Sequence, residues 1–295
     1  VMKLRKSLVF LSIVLYFALI FPVQSFSAIG TDNYSLQFDG GDRVVIPDNP
    51  SLNPSQITVE TWVYLNRLAP VGSWDNQFLI SKGNDQTQGS YYLSANRDQF
   101  HFYIGANGVD QVHAATPSLI KTNRWYHVAG TYDGTNVRIY VNGVLQGTTP
   151  ASVTIGNTGL LTFGSQDLPD WEYYLDGNLD EVRIWSVART ASEIQTDMLN
   201  TLIGNETGLV GYWRMDEGTG QVVGDSTANG NHGQLGSTSS EDADDPAWRL
   251  RSEFNSLSFG QSLSEVISHI GKLDLYSFSA SSGDRVLIRM GVSTY

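Results

Sequence analysis

Residues 122–146 read TNRWYHVAGTYDGTNVRIYVNGVLQ, and this stretch decides the fold. Asp133-Gly134 and Asn142-Gly143 bracket the run Val137–Val141, which follows a longer run, Trp125–Tyr132. Asn-Gly between apolar runs signals a hairpin, because both central residues of a two-residue turn take positive φ and Gly, Asn and Asp do so most cheaply. Three consecutive antiparallel strands are therefore predicted.

The same punctuation continues on both sides. From 34 to 236 short runs rich in β-branched and aromatic residues alternate with Gly, Asn, Asp and Pro, and helical periodicity is nearly absent. Further strands are predicted at Ser35–Phe38, Ile57–Leu65, Phe78–Ser81, Phe100–Ile104, Leu160–Phe163, Asn178–Trp185 and Leu209–Trp213. The one good helix signal is Thr190-Ala191-Ser192-Glu193, whose spacing is that of a capping box leading into Ile194 and Met198. Many strands and one short helix predict an all-β, two-sheet antiparallel sandwich.

The ends read differently. Lys3, Arg5 and Lys6 precede an apolar stretch, Leu8–Phe21, followed by Pro22 and small or polar residues to Ala28. That is the pattern of a signal peptide over 1–28, too short for the roughly 20 residues of a spanning helix. The expectation is a secreted or cell-surface chain with no transmembrane segment after cleavage. The sandwich is expected over 29–236. Residues 237–253 are Ser-rich, then acidic, and read as a linker; a calcium loop there would lack the glycine and terminal glutamate of an EF-hand. A second β-rich segment is expected over 254–295.

Charge and cysteine narrow the function classes. The chain carries 18 basic and 30 acidic residues, a net −12, and losing the three leader cations leaves about −15. Nucleic acid is excluded as a partner on that charge. With 0 cysteines there is no disulfide and no thiolate nucleophile or ligand.

Four blocks carry a resemblance: SLQFDGGDRVVIP at 35–47, the 122–146 stretch, GNLDEVRIWSVARTASEI at 177–194, and GLVGYWRMDEGTGQVVGDSTANGNHGQL at 208–235. In this order they resemble the bacterial laminin G-like, concanavalin A-like jelly rolls. The resemblance implies two packed antiparallel sheets, frequently a structural calcium ion, and an accessory role in secreted carbohydrate-active or adhesive proteins. The tail FGQSLSEVISHIGKLDLYSFSASSGDRVLIRM at 259–290 resembles the opening half of the bacterial pre-peptidase C-terminal domain, another small β-sandwich, whose later strands are missing.

Catalysis finds little support in the residues. There is no G-x-S-x-G, no H-E-x-x-H, and the histidines at 101, 113, 127, 232 and 269 have no paired spacing. Laminarinase-like enzymes of this fold need acids alternating along one strand, and neither Glu60 nor Asp180-Glu181 makes that alternation. Period-two alternation puts Asp180 on one face with Val182 and Ile184, so its carboxylate is expected to meet a cation, either an arginine or a hard metal ion. The resemblance favours calcium, with Asp39 and Asp42 of the FDGGD block beside Asp180.

The tryptophans divide by context. Trp62, Trp125, Trp185 and Trp213 lie in strand patterns and are expected in the core. Trp74 and Trp171 lie in loops, Trp171 with Tyr173 in DLPDWEYYLDG, where rings can stack on the apolar side of a sugar. The expected function is calcium-stabilised carbohydrate recognition through Trp171, Tyr173 and Trp74. Two rival readings are a module for binding a cell-surface or extracellular matrix protein, and the front of a secreted hydrolase whose catalytic part lies elsewhere.

Overall fold

The computed structural model describes residues 34–69, 76–83, 90–106, 109–156, 159–166 and 174–250. The expected leader at 1–28, the β-rich segment from 254, and the loop aromatics Trp74, Trp171 and Tyr173 lie outside these residues.

The first strands are β1 (Tyr34–Asp39), β2 (Val44–Ile46), β3 (Ile57–Leu65), β4 (Asn76–Lys82), β5 (Tyr91–Asn96), β6 (Gln99–Ala106), β7 (Val109–Ala115) and β8 (Trp125–Tyr132). There follow β9 (Asn136–Val141), β10 (Val144–Pro150), β11 (Leu161–Phe163), β12 (Asp176–Trp185), helix α1 (Ala191–Asp197), β13 (Leu209–Trp213), β14 (Val222–Val223), β15 (Gly233–Leu235) and β16 (Ala247–Leu250). They form two eight-stranded antiparallel sheets, a jelly-roll sandwich. Sheet A runs β10-β9-β8-β3-β12-β1-β16, with β13 also on β12; sheet B runs β14-β15-β2-β11-β4-β5-β6-β7.

The deciding stretch folds as read. β8, β9 and β10 pair in succession, and the β9–β10 turn holds Asn142 at φ +49 and Gly143 at φ +73. The capping box closes as well: the Thr190 side chain accepts the Glu193 N–H, and Glu193 accepts the Thr190 N–H at 2.7 Å. Between the sheets, Ile57, Val59, Val63 and Leu65 of β3 meet Phe100, Phe102 and Ile104 of β6 in one apolar core. The approach is close at Gly130, where a Cβ would lie 2.0 Å from the Phe102 ring.

Three expectations change. First, the alternation along β12 breaks. Asp180 pairs with Trp62 but Arg183 pairs with Glu60, so β12 carries one extra residue there, a bulge with Glu181 at φ +53. Val182 and Ile184 enter the core, while Asp180 lies on the face opposite them, with Trp62 and Arg183. Second, of the four strand tryptophans only Trp213 joins the core between the sheets; Trp62, Trp125 and Trp185 are buried on the outer side of sheet A. Third, sheet A extends past 236 into the stretch read as linker, because Ala247–Leu250 pairs with β1. The acidic residues before it fold back, with Asp244 O accepting the Arg43 N–H and Asp245 accepting the Asp242 N–H. Among the described residues no helix is long and apolar enough to cross a membrane.

Candidate functional site

Both sheets have an outer face, and polar side chains concentrate on each. On sheet A, alternation along β3 turns Thr58, Glu60 and Trp62 away from the core, beneath α1 and the segment after it. Glu60 is 0% exposed. Its carboxylate accepts the Trp185 indole N–H at 2.9 Å and lies 3.8 Å from Arg183, 3.9 Å from Arg189 and 3.8 Å from His127. Burial pushes the Glu60 carboxyl up, and the two arginines pull against it. His127 is held down at about 3, first by burial and then by Arg183 and Arg189.

Arg183 also secures the helix. It donates to the carbonyls of Asp197 and Asn200 at 2.8 and 2.7 Å, and the Trp62 indole donates to the Met198 carbonyl at 2.9 Å. These are carbonyls at the helix C-terminal end, which lack intrahelical donors and carry the negative end of the dipole. The charges on this face are thus consumed in docking α1, and Glu60 is sealed from solvent.

Sheet B is arranged otherwise. Phe100, Phe102 and Ile104 of β6 point into the core, so His101 and Tyr103 between them face outward. Register places Tyr92 of β5 and His113 of β7 on either side of Tyr103. The rings stack: Tyr92 on Tyr103 at 4.3 Å between centroids and 18° between planes, and Tyr103 on His113 at 4.4 Å and 22°. Phe78 of β4 tilts against Tyr92 at 5.1 Å, and His101 lies 5.5 Å from His113. Rings spaced like the strands themselves stand on edge across four strands. Tyr103 and His101 are half-buried and His113 is exposed, so this row reaches solvent.

Burial and then the neighbouring His113 hold the His101 imidazole down at about 4, and burial lowers His113 too. Both are neutral at neutral pH, and a neutral imidazole offers one donor and one acceptor. Beside them, Ser94 and Ser81 are fully buried hydroxyls on the same side of the sheet. The row can therefore give apolar ring surface together with donors and acceptors that carry no charge.

A cleft of about 440 Å³ opens further along this face, where β2, β11 and β15 adjoin. Val45, Pro47, Leu160 and Val222 give it apolar walls, and Arg43 and His232 are its titratable side chains. The His232 Nδ1 accepts the Asp225 N–H at 3.1 Å, which leaves Nε2 as the donor of the neutral ring.

The expected metal ligands do not converge. Asp42 is 3% exposed and accepts the Asp39 N–H at 2.8 Å, so these two adjoin. Burial pushes Asp42 up to about 7, the backbone hydrogen bond from Asp39 opposes this, and the charges of Asp39 and Asp245 add to it. Asp180 sits elsewhere. Asp39 pairs with Asp176, four residues from Asp180 along β12, roughly 13 Å at the rise of a strand. One ion cannot take both, and among the described residues no three His, Cys, Asp or Glu side chains are grouped to hold a metal.

The ring row and the cleft were not singled out in the sequence. The usable signal was FHFYI at 100–104, where an inward Phe-Phe-Ile phase leaves His and Tyr outward instead of the Lys, Glu or Thr of a merely solvated face.

Comparison with known proteins follows the fold. The model of the family described as the concanavalin A-like lectin/glucanases superfamily matches residues 38–195. Mouse pappalysin-1 is 25% identical over 182 residues, 56% of this chain but 11% of its own length. A Bacteroides ovatus protein of solved structure, named as a candidate carbohydrate-binding protein, superposes with a TM-score of 0.56 at 22% identity, over 73% of this chain and 61% of its own. A heptameric pentraxin from Limulus polyphemus reaches a TM-score of 0.46 at 18% identity, over 56% of this chain and 81% of its own.

Proposed function

This chain belongs to the concanavalin A-like lectin/glucanases superfamily, and from that premise we propose that its sandwich is a non-catalytic, extracellular carbohydrate-binding module, an accessory part of a larger protein. One observation carries the proposal: the row Phe78–Tyr92–Tyr103–His113 with His101 on the outer face of sheet B. Sugars present apolar C–H faces edged by hydroxyls, and a site for them combines ring surface with uncharged hydrogen-bonding groups. Trp74, Trp171 and Tyr173 belong to this proposal as loop aromatics that the sequence offers for stacking on a sugar.

Binding is favoured over hydrolysis by where the carboxylates are. Glycoside hydrolysis needs two of them flanking the scissile bond. Among the described residues neither the ring row nor the cleft wall supplies one, and Glu60 is sealed beneath α1 on the other sheet. Calcium stays in the proposal only at the Asp39–Asp42 pair, where two adjoining carboxyl groups, one of them pushed up to about 7 chiefly by burial, would be relieved by a hard cation.

The test is a glycan array followed by calorimetry on the hits, with Tyr103→Ala alongside. Binding that Tyr103→Ala reduces supports the proposal. Retention of a protein partner with no glycan bound at all overturns it.

A further inference from the structure

The cleft on sheet B differs from its surroundings in charge. The chain carries 30 acidic against 18 basic residues, yet none of the residues lining this cleft is Asp or Glu. Its one permanent charge is Arg43. The phase of β2 explains the isolation: Val44 and Ile46 enter the core and Asp42 is buried on that inward side, so Arg43, Val45 and Pro47 turn outward. Arg43 thereby parts from Asp42, while the Asp245 and Asp242 carboxylates lie beside Gly236 at the edge of the cleft. Its main chain is held, with N–H to the Asp244 carbonyl and its own carbonyl to Gly236, whereas its guanidinium has no ion pair or hydrogen bond among the described residues. Four other arginines of this sandwich are engaged with carboxylates: Arg138 with Asp133, Arg183 with Glu181, Arg189 with Asp197, Arg214 with Asp216.

A half-buried guanidinium at the mouth of an apolar-walled cleft keeps five donors in a fixed fork, and the group that matches this fork is a carboxylate, bound bidentately. The walls suit a ring of pyranose size, and the His232 Nε2–H adds a donor on the same cleft. We propose that this cleft is a second sugar site that takes the uronic-acid residues of an acidic polysaccharide, with Arg43 binding the C6 carboxylate. The inference rests on the glycan reading above and extends it from the ring row to a residue type: neutral contacts along the row, one charge contact at the cleft. Net repulsion between an acidic protein and a polyanion makes such a contact necessary for specificity rather than merely additive.

The experiment compares a uronate oligosaccharide with its methyl ester, which keeps the sugar and removes the charge, by calorimetry in low salt with a chelator present so that calcium cannot bridge the polyanion. The expected result is that the acid binds about tenfold to a hundredfold more tightly than the ester, the range of a hydrogen bond to a charged partner. Arg43→Gln should bring the acid down to the level of the ester, and Arg43→Lys should recover part of the difference, which separates a lost contact from a misfolded variant. Tyr103→Ala should weaken acid and ester alike. Equal binding of acid and ester overturns the cleft proposal while leaving the ring row standing. Absence of binding to either, together with an empty glycan array, overturns both.

Discussion

The two outer faces of this sandwich are built from the same kinds of side chain and put them to opposite ends. On sheet A, Glu60, Arg183, Arg189 and His127 are sealed under α1; both arginines find carboxylates within the chain, and Arg183 reaches helix carbonyls as well. On sheet B, Tyr103 and His101 are half-buried, His113 is exposed, and Arg43 lines an open cleft with no ion pair among the described residues. The difference teaches how to tell structural polar groups from functional ones. A buried charge is tolerated when its partners are internal, and removing a partner then costs stability. A polar or aromatic group that the fold leaves open contributes little to stability and is available to a ligand.

The sharpest way to break this contrast is to unpair sheet A. Arg183→Ala leaves Glu60 without one of its cations and strips donors from the Asp197 and Asn200 carbonyls, so unfolding free energy should fall by about 3–5 kcal/mol, the usual cost of orphaning one member of a buried pair. Urea unfolding of the variant measures this. A loss below about 1 kcal/mol, the value of an exposed pair, would mean that α1 is not held by this network.

Sheet B should respond in the opposite sense. Tyr103→Ala removes the middle ring of the row, and glycan binding should weaken by on the order of 1–3 kcal/mol, within the range for an aromatic anchor. Its melting temperature should move far less than that of Arg183→Ala, because Tyr103 lies outside the core between the sheets. Trp171→Ala should weaken binding in the same way, with an unchanged melting curve. If Tyr103→Ala unfolds the domain while any glycan binding persists, the row is packing and the functional face lies elsewhere.

Acid separates the faces more finely. His127 is held near 3 and His101 near 4, both below the ordinary value of 6.5. A group whose folded value is depressed in this way leaves the unfolded chain binding the extra proton, so stability is full above about 6.5 and declines as pH falls toward 4 and 3. His127→Gln should flatten this decline more than His101→Gln, since His127 is fully buried beside two arginines whereas His101 shares a half-open face. Thermal melts from pH 8 to 4 decide it, and equal flattening by both variants would erase the distinction drawn here.

How much of this was legible in the sequence depends on whether the period held. The hairpins at 133–134 and 142–143 and the capping box at 190–193 are local devices, fixed by the φ values and donors of a few adjacent residues, and they were readable. So was the all-β sandwich, because FHFYI and VRIYV keep strict alternation. Asp180 was misread because a bulge at Glu181 shifts the phase by one, and nothing within NLDEVRIW announces an extra residue; the shift shows only in the register with β3. Trp62, Trp125 and Trp185 are as apolar and as buried as the central core would require, and strand pattern does not separate that core from the second dry layer outside sheet A. The ring row and Arg43 were overlooked because they depend on which strands become neighbours, as β5, β6 and β7 do, and a single sequence does not state that.

The smallest expected effect concerns the block where sequence and structure agree only in part. Asp42 is pushed up to about 7, with burial as the largest cause, so between the unfolded value near 4 and about 7 the native state holds a proton that the unfolded chain does not. Stability should therefore decline as pH rises from about 4 to 7, the reverse of the histidine trend, and Asp42→Asn should abolish that component. Calcium at the Asp39–Asp42 pair would favour the ionised carboxylate, so adding it should offset part of the decline at pH 7. The gain is modest, about 0.4 kcal/mol when free calcium equals the dissociation constant, and grows by mass action above that. The measurement is a melting series at pH 7 with calcium or chelator, on protein first shown to be metal-free. A calcium response that survives in Asp42→Asn places the ion away from this pair. A response lost in Asp180→Asn as well would show that the two sites communicate across β12, since the register keeps their carboxylates too far apart to share one ion.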